Sequence, residues 1–149
     1  MQLSVFNKQK DLKISSLSVK KLIRAFLETE GLSPEFVSVS FVKEEEICRM
    51  HEQFFDDPSP TDCISFPIDS TEDQELQFLG EIFVCPLTAI KYAEGKKIDP
   101  YREATLYVIH GLLHLIGYDD TSPPLKRKMR RAEARHLSII DKLGLWLHS

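Results

Sequence analysis

The stretch Asp99-Pro100-Tyr101-Arg102-Glu103-Ala104-Thr105-Leu106-Tyr107-Val108-Ile109-His110-Gly111-Leu112-Leu113-His114-Leu115-Ile116-Gly117 decides how this chain folds. Asp99 suits a helix N-cap, and Pro100 suits the first helical position, where a missing N–H costs nothing. From Tyr101 to Ile116 apolar residues fall on nearly every side, and a helix that is hydrophobic all round is a central, buried one. Gly117 ends it, because glycine takes the left-handed C-terminal position cheaply.

The flanking sequence supplies what would surround such a helix. Val19, Leu22, Ile23, Phe26 and Leu27 recur near a period of 3.6 and predict a helix over Ser16–Glu30, stopped by Gly31. Phe36 to Val42 alternates, with Phe36, Ser38 and Ser40 on one side and Val37, Val39 and Phe41 on the other, which predicts a strand. Lys43 to Phe55 reads as a helix with Glu44, Glu45 and Glu46 in its first turn, where the dipole favours acids. Asp57-Pro58-Ser59-Pro60 is a loop. Cys63–Ile68 and Phe78–Cys85 read as strands joined by a hairpin-like acidic connection over Asp69–Gln77. Pro86–Glu94 reads as a short helix, and Pro123-Pro124 opens a last one that runs to about Leu143. Helices and strands mix without strict alternation. The expectation is a single α+β domain over residues 1–149, one mixed sheet packed against helices.

Composition supports this and excludes other classes. With 149 residues, 42% hydrophobic and 28% charged, the chain can bury a core without disulfides. It shows no repeat period, and no apolar run approaches the ~18 residues of a membrane span. The start, Met1 to Ser15, is broken by charges and has no signal-peptide core, so a cytoplasmic protein without a membrane partner is expected. Cys48, Cys63 and Cys85 lack metal or redox spacing and read as reduced, buried thiols. The net charge of −4 argues against nucleic-acid binding through global charge. Charge is, however, segregated. Met50 to Ile90 holds nine acids and no Lys or Arg, whereas Lys126 to His136 carries six basic residues against Glu133 alone. Arg127, Arg130 and Arg131 are the candidate RNA-phosphate contacts in that run; a merely solvated helix face is the plainer reading.

His110 and His114 lie four apart, so both imidazoles sit on one helix face, one turn apart. That is the spacing of two ligands to one metal. Asp120, after the stop at Gly117, can return a carboxylate over the same face. Two nitrogens and one oxygen with a vacant fourth position are a catalytic arrangement for zinc, since structural sites close with four protein ligands. The plainer reading is a pair of core histidines. Buried imidazoles need partners for both nitrogens, and a metal plus an acceptor behind each ring supplies them. Asp119 is the nearest candidate for that supporting role or for an alternative ligand.

The run His110-Gly111-Leu112-Leu113-His114-Leu115-Ile116-Gly117-Tyr118-Asp119-Asp120 resembles the signature H-G-x-L-H-L-x-G-Y-D-H of the bacterial YbeY family. Thr61-Asp62-Cys63-Ile64-Ser65-Phe66-Pro67 is similar to that family's T-D-V-L-S-F-P segment, and Leu79 to Pro86 to its L-G-D-I-x-I-C-P segment. The three motifs keep their order, and the chain has the length of a whole member. The resemblance implies a metal-dependent, single-strand-specific endoribonuclease acting in ribosomal RNA maturation and in quality control of ribosomes, with single-stranded RNA, ribosomal RNA or the small ribosomal subunit as partner. It also implies one zinc ion held by the signature's ligands. Two positions depart from the pattern. Asp120 stands for the third histidine, which adds a negative charge and makes another divalent metal acceptable. Phe55 stands where the family carries an arginine suited to a phosphate. Cationic replacements would come from Arg49, Lys91 or the last helix.

The general base is not assigned by sequence; Asp62, Glu81 and Asp119 are the candidates. Two other functions compete. A zincin-like metalloprotease would share the helical histidine pair, but Gly111 occupies the position where those enzymes need a glutamate. A non-catalytic ribosome-associated factor would use the metal only to brace the long helix to its following loop.

Overall fold

The computed structural model describes residues 1–68 and 79–149, so the acidic connection expected over Asp69–Gln77 lies outside the described residues. In chain order the elements are β1 (Gln2–Asn7), α1 (Ser16–Glu30), β2 (Phe36–Phe41), α2 (Glu44–Phe55), β3 (Cys63–Pro67), β4 (Gly80–Val84), α3 (Pro86–Lys96), α4 (Pro100–Leu115) and α5 (Pro123–Leu143). The four strands form one mixed sheet in the order β1-β2-β4-β3, with β1, β2 and β4 parallel and β3 antiparallel to β4. The α+β expectation therefore holds. Strand β1 is an addition that patterning did not predict. It is a half-exposed edge strand, and its parallel partner lies beyond α1.

Strand alternation sorts the sheet into two faces. Val37, Val39, Phe41, Ile82 and Val84 point into the main core, where Leu22, Ile23 and Phe26 of α1, Leu112 and Leu113 of α4, and Met129 and Ile140 of α5 meet them. The opposite face carries Ile64, Phe66 and Phe83, which pack with Ile47 and Met50 of α2. Leu112 and Leu113 are wholly buried, and each such side chain contributes about 1.5–3 kcal/mol by leaving water. Helix α4 is the central element the sequence predicts, capped by the Asp99 side chain, which accepts from the Tyr101 N–H.

Gly111 explains how closely α4 approaches the sheet. A Cβ there would lie 2.7 Å from Ile82 Cγ2 and 3.3 Å from Ser65 Oγ. The Ser65 hydroxyl also donates to the Gly111 carbonyl at 3.0 Å, fixing helix to strand. Of the three cysteines, only Cys85 is buried as expected; Cys48 and Cys63 are partly exposed, and Cys63 borders an open cleft at the end of β3. No helix among the described residues is long and apolar enough to cross a membrane.

Candidate metal centre

Helix α4 ends at Leu115, so His110 and His114 occupy its last two turns. The Gly117 N–H bonds back to His114 O at 3.1 Å and the Tyr118 N–H to Leu113 O at 3.0 Å. Gly117 takes φ +107°, a region that disfavours a side chain, and the reversal returns the chain over the histidines. Asp119 organises the returning loop: its carboxylate accepts from the Asp120 N–H at 2.8 Å and from the Thr121 hydroxyl at 3.2 Å. It braces Asp120 and is not one of the converging groups.

The sequence-predicted trio does converge. One donor atom from each of His110, His114 and Asp120 lies within 4.8 Å of the others. His110 Nε2 and His114 Nε2 are 3.0 Å apart, with Asp120 oxygens at 3.6 Å from the first and 3.7 Å from the second. Tetrahedral zinc with bonds of about 2.0–2.1 Å sets its donors about 3.3 Å apart, within that spread.

Glu133 of α5 completes the geometry from behind. Its carboxylate is 2.7 Å from His110 Nδ1 and 2.7 Å from Arg130, and the Glu133 side chain is only 5% exposed. Burial pushes the Glu133 carboxyl up, but His110 and Arg130 outweigh it and hold the group below its ordinary value, as an anion. Burial likewise disfavours charge on His110, yet the Glu133 hydrogen bond and the nearby Asp62 and Asp120 hold its pKa above the ordinary value. A carboxylate only accepts, so Nδ1 carries the proton it receives, and in the neutral ring Nε2 turns a lone pair toward His114 and Asp120. Two imidazole nitrogens and a carboxylate, with one ring oriented by a buried carboxylate, are a donor set that fits a divalent cation. Their place at the C-terminal end of α4, where the helix dipole is negative, adds to the attraction.

The group opens on a cleft of about 450 Å³ whose walls include His51 and Phe55 of α2, Asp62 and Ser65 at β3, and Thr121. His114 and Asp120 are 26% and 34% exposed, so the donors face solvent on one side. Among the candidate general bases, Asp62 and Asp119 line the cleft. Asp62 also accepts from the Cys63 N–H at 2.7 Å. Glu81 is on the other sheet face, because its neighbour Ile82 points at Gly111. The Cys63 thiol at the cleft is pushed well up by burial, then by Asp62, Asp120 and Glu133, and stays protonated.

Arg127, Arg130 and Arg131 lie on the exposed side of α5, where with Pro123 and Lys126 they edge a shallow groove. They do not touch the trio directly, but Arg130 reaches it through Glu133. Of the cations offered in place of the arginine replaced by Phe55, Arg49 pairs with Glu46 and Lys91 with Glu44. Neither lines the cleft. Glu133 is the residue that sequence reasoning missed. It lies 23 positions from His110, and its one signal was being the lone acid in a basic run.

Fold and site together define an α+β protein with an imidazole–carboxylate trio presented at an open cleft by its central helix and the loop that follows it. The sequence profile of the family described as endoribonuclease YbeY matches residues 4–141. A protein of Protochlamydia amoebophila named endoribonuclease YbeY is 45% identical over 141 residues, covering 95% of this chain and 94% of its own length. Its namesake from Chlamydia abortus is 40% identical, over 94% of this chain and 91% of that one. A solution structure from Thermotoga maritima superposes with a TM-score of 0.60 at 26% identity, covering 97% of this chain and 95% of that one. The chain belongs to the endoribonuclease YbeY family.

Proposed function

We propose that residues 1–149 form one domain that is a metal-dependent endoribonuclease, cutting single-stranded RNA and acting in ribosomal RNA maturation and ribosome quality control in the cytoplasm. The observation that carries the metal-dependent part is the convergence of His110, His114 and Asp120 on a solvent-facing cleft, with His110 oriented by Glu133. We assign one zinc ion to the trio, with a harder divalent ion admitted by the carboxylate, and read the helix-borne pair plus a ligand after Gly117 as zincin-like in arrangement. A bound divalent ion supplies a nucleophile at neutral pH and a positive charge for a phosphoryl oxygen.

The chain's own residues do the rest. Glu133 fixes the His110 tautomer and so the direction of its donor nitrogen. Asp119 holds the loop that delivers Asp120. Of the three candidate general bases, Asp62 and Asp119 line the cleft, and each carboxylate also accepts a hydrogen bond from its own loop. Arg127 and Arg131, with Arg130 beside them, supply cations for the RNA backbone. The protease alternative lacks a base, since position 111 is glycine. The bracing alternative is disfavoured by the opening of the trio to solvent.

The test is cleavage of single-stranded RNA by pure protein before and after chelation and readdition of zinc. His114→Ala should abolish it. Asp120→Ala should also lose stoichiometric metal by elemental analysis. Undiminished cleavage by His114→Ala would sink the proposal.

A further inference from the structure

We propose that Phe55, buttressed by His51, is a stacking platform for an unpaired nucleobase of the RNA held at this cleft. Phe55 is a large apolar side chain left 56% exposed, and it lines the same cleft as the metal-binding trio. A lone exposed aromatic would mean little, but this one is built into place. The His51 ring lies 5.7 Å from it, tilted by 54°. His51 is itself fixed through Nδ1, which is 2.8 Å from the Ser59 carbonyl. Ser59 is held in turn, because its N–H and hydroxyl both donate to Asp57 Oδ1, at 2.9 and 2.6 Å. The ring therefore lines the cleft from the last turn of α2, beside a His51 ring that the following loop holds in place.

Charge decides what the wall takes. Met50 to Ile90 contains no lysine or arginine; Glu52, Asp56 and Asp57 flank Phe55 in the chain, and Asp62 lines the cleft with it. A phosphate is repelled there. The neutral face of a base is not, and single-stranded RNA offers splayed bases that stack on aromatic side chains. The cations for the backbone lie outside the cleft lining, on α5, where Lys126, Arg127 and Arg131 are exposed. The strand is thus gripped by its backbone on α5 and by a base on α2, and the phosphodiester between passes the trio. Where the resemblance places an arginine for a phosphate, this chain recognises a base.

This rests on the ribonuclease reading, so the test separates the two. A single-stranded oligoribonucleotide carrying one 2-aminopurine is titrated with the full-length protein under chelation. Binding and stacking are then read without cleavage; KM and kcat are measured separately with metal. Phe55→Leu keeps the bulk but removes the π face. It should weaken binding and raise KM about tenfold, with kcat little changed, and should abolish the quenching of 2-aminopurine. Phe55→Trp should preserve all three. An abasic site in place of the stacked base should cost wild type the same factor and cost Phe55→Leu nothing further. If wild type cleaves RNA and Phe55→Leu matches it in KM and quenching, the platform is refuted while the ribonuclease stands. If wild type binds and quenches but never cleaves, the activity is refuted and the platform stands.

Discussion

Replacing Glu133 with alanine removes the buried carboxylate that links α5 to His110. The contact is 2.7 Å long between side chains 13% and 5% exposed, so water is poorly placed to substitute. The second contact of Glu133, to Arg130, involves a guanidinium side chain that is 58% exposed and regains water, so no stability is assigned to it. What counts is the His110 bond, and a hydrogen bond to a charged group contributes about 1.5–3 kcal/mol. In a domain of this size 1 kcal/mol moves Tm by about 2–4 °C, so Glu133→Ala should melt about 3–12 °C lower. The metal effect is larger in consequence. Residues that orient a ligating histidine are worth about tenfold to hundredfold in affinity. A counter-effect exists, since loss of Glu133 lowers the proton affinity of His110 and relieves proton competition in mild acid. Titrating zinc against a chromophoric chelator at about pH 8.5, well above the ordinary histidine value of about 6.5, removes that term. Glu133→Gln keeps an acceptor oxygen without its charge and should fall between. A folded Glu133→Ala protein that binds zinc as tightly as wild type would refute the orienting role.

Three further outcomes are expected. Gly111→Ala should lower stability by up to about 2 kcal/mol in urea unfolding: overpacking against Ile82 costs about 1–3 kcal/mol and the gain in helix propensity returns about 1. Greater stability would show that the helix has room to move. Arg127→Ala with Arg131→Ala should reduce the salt slope of single-stranded RNA binding by about 1.4, at about 0.7 per lost phosphate contact, and an unchanged slope would remove α5 from the interface. His136, 1% exposed and stacked 4.3 Å from Phe26, has its pKa lowered by burial in spite of its Glu30 partner. The unfolded chain therefore binds that proton first as pH falls below about 6.5, and stability drops by up to about 1.4 kcal/mol per pH unit until the folded group titrates. Urea midpoints between pH 8 and 5.5 should fall more steeply for wild type than for His136→Phe; parallel curves would assign the acid sensitivity elsewhere.

The parts of this protein legible in its sequence are those whose cause is local. Helix α4 announces itself because its cap, apolar faces and terminating glycine are contiguous, and the i, i+4 histidines inherit their shared face from helix geometry alone. The alternation of Val37, Val39 and Phe41 likewise fixes the core face of β2. Strand β1 was not legible, since an edge strand is half-exposed and gains its stability from a partner that follows a whole helix. Glu133 was hidden for a related reason: a carboxylate among arginines reads as charge balance, and only the crossing of α5 over α4 turns it toward a histidine. The cleft role of Phe55 was hidden too. At the end of an amphipathic helix it looks like a frayed apolar position, and only the fold brings it into the same cleft as the trio.

Two glycines do the placing that the donors themselves cannot. Gly111 stands between the histidines in sequence and lets the helix settle against Ile82 and Ser65, which sets how deep the imidazoles sit beside β3. Gly117 sets the direction of return, and the Asp119 carboxylate then holds the Asp120 backbone in that course. The donors are thereby fixed from three independent sides: sheet, loop and α5. Holding the donors in place before a metal binds lowers the cost of assembling them at that moment, which is what separates a centre tuned for chemistry from histidines gathered by chance. Arg130 neutralises the buried carboxylate behind the trio, and Lys126, Arg127 and Arg131 stay exposed on α5, where the proposed function calls for cations.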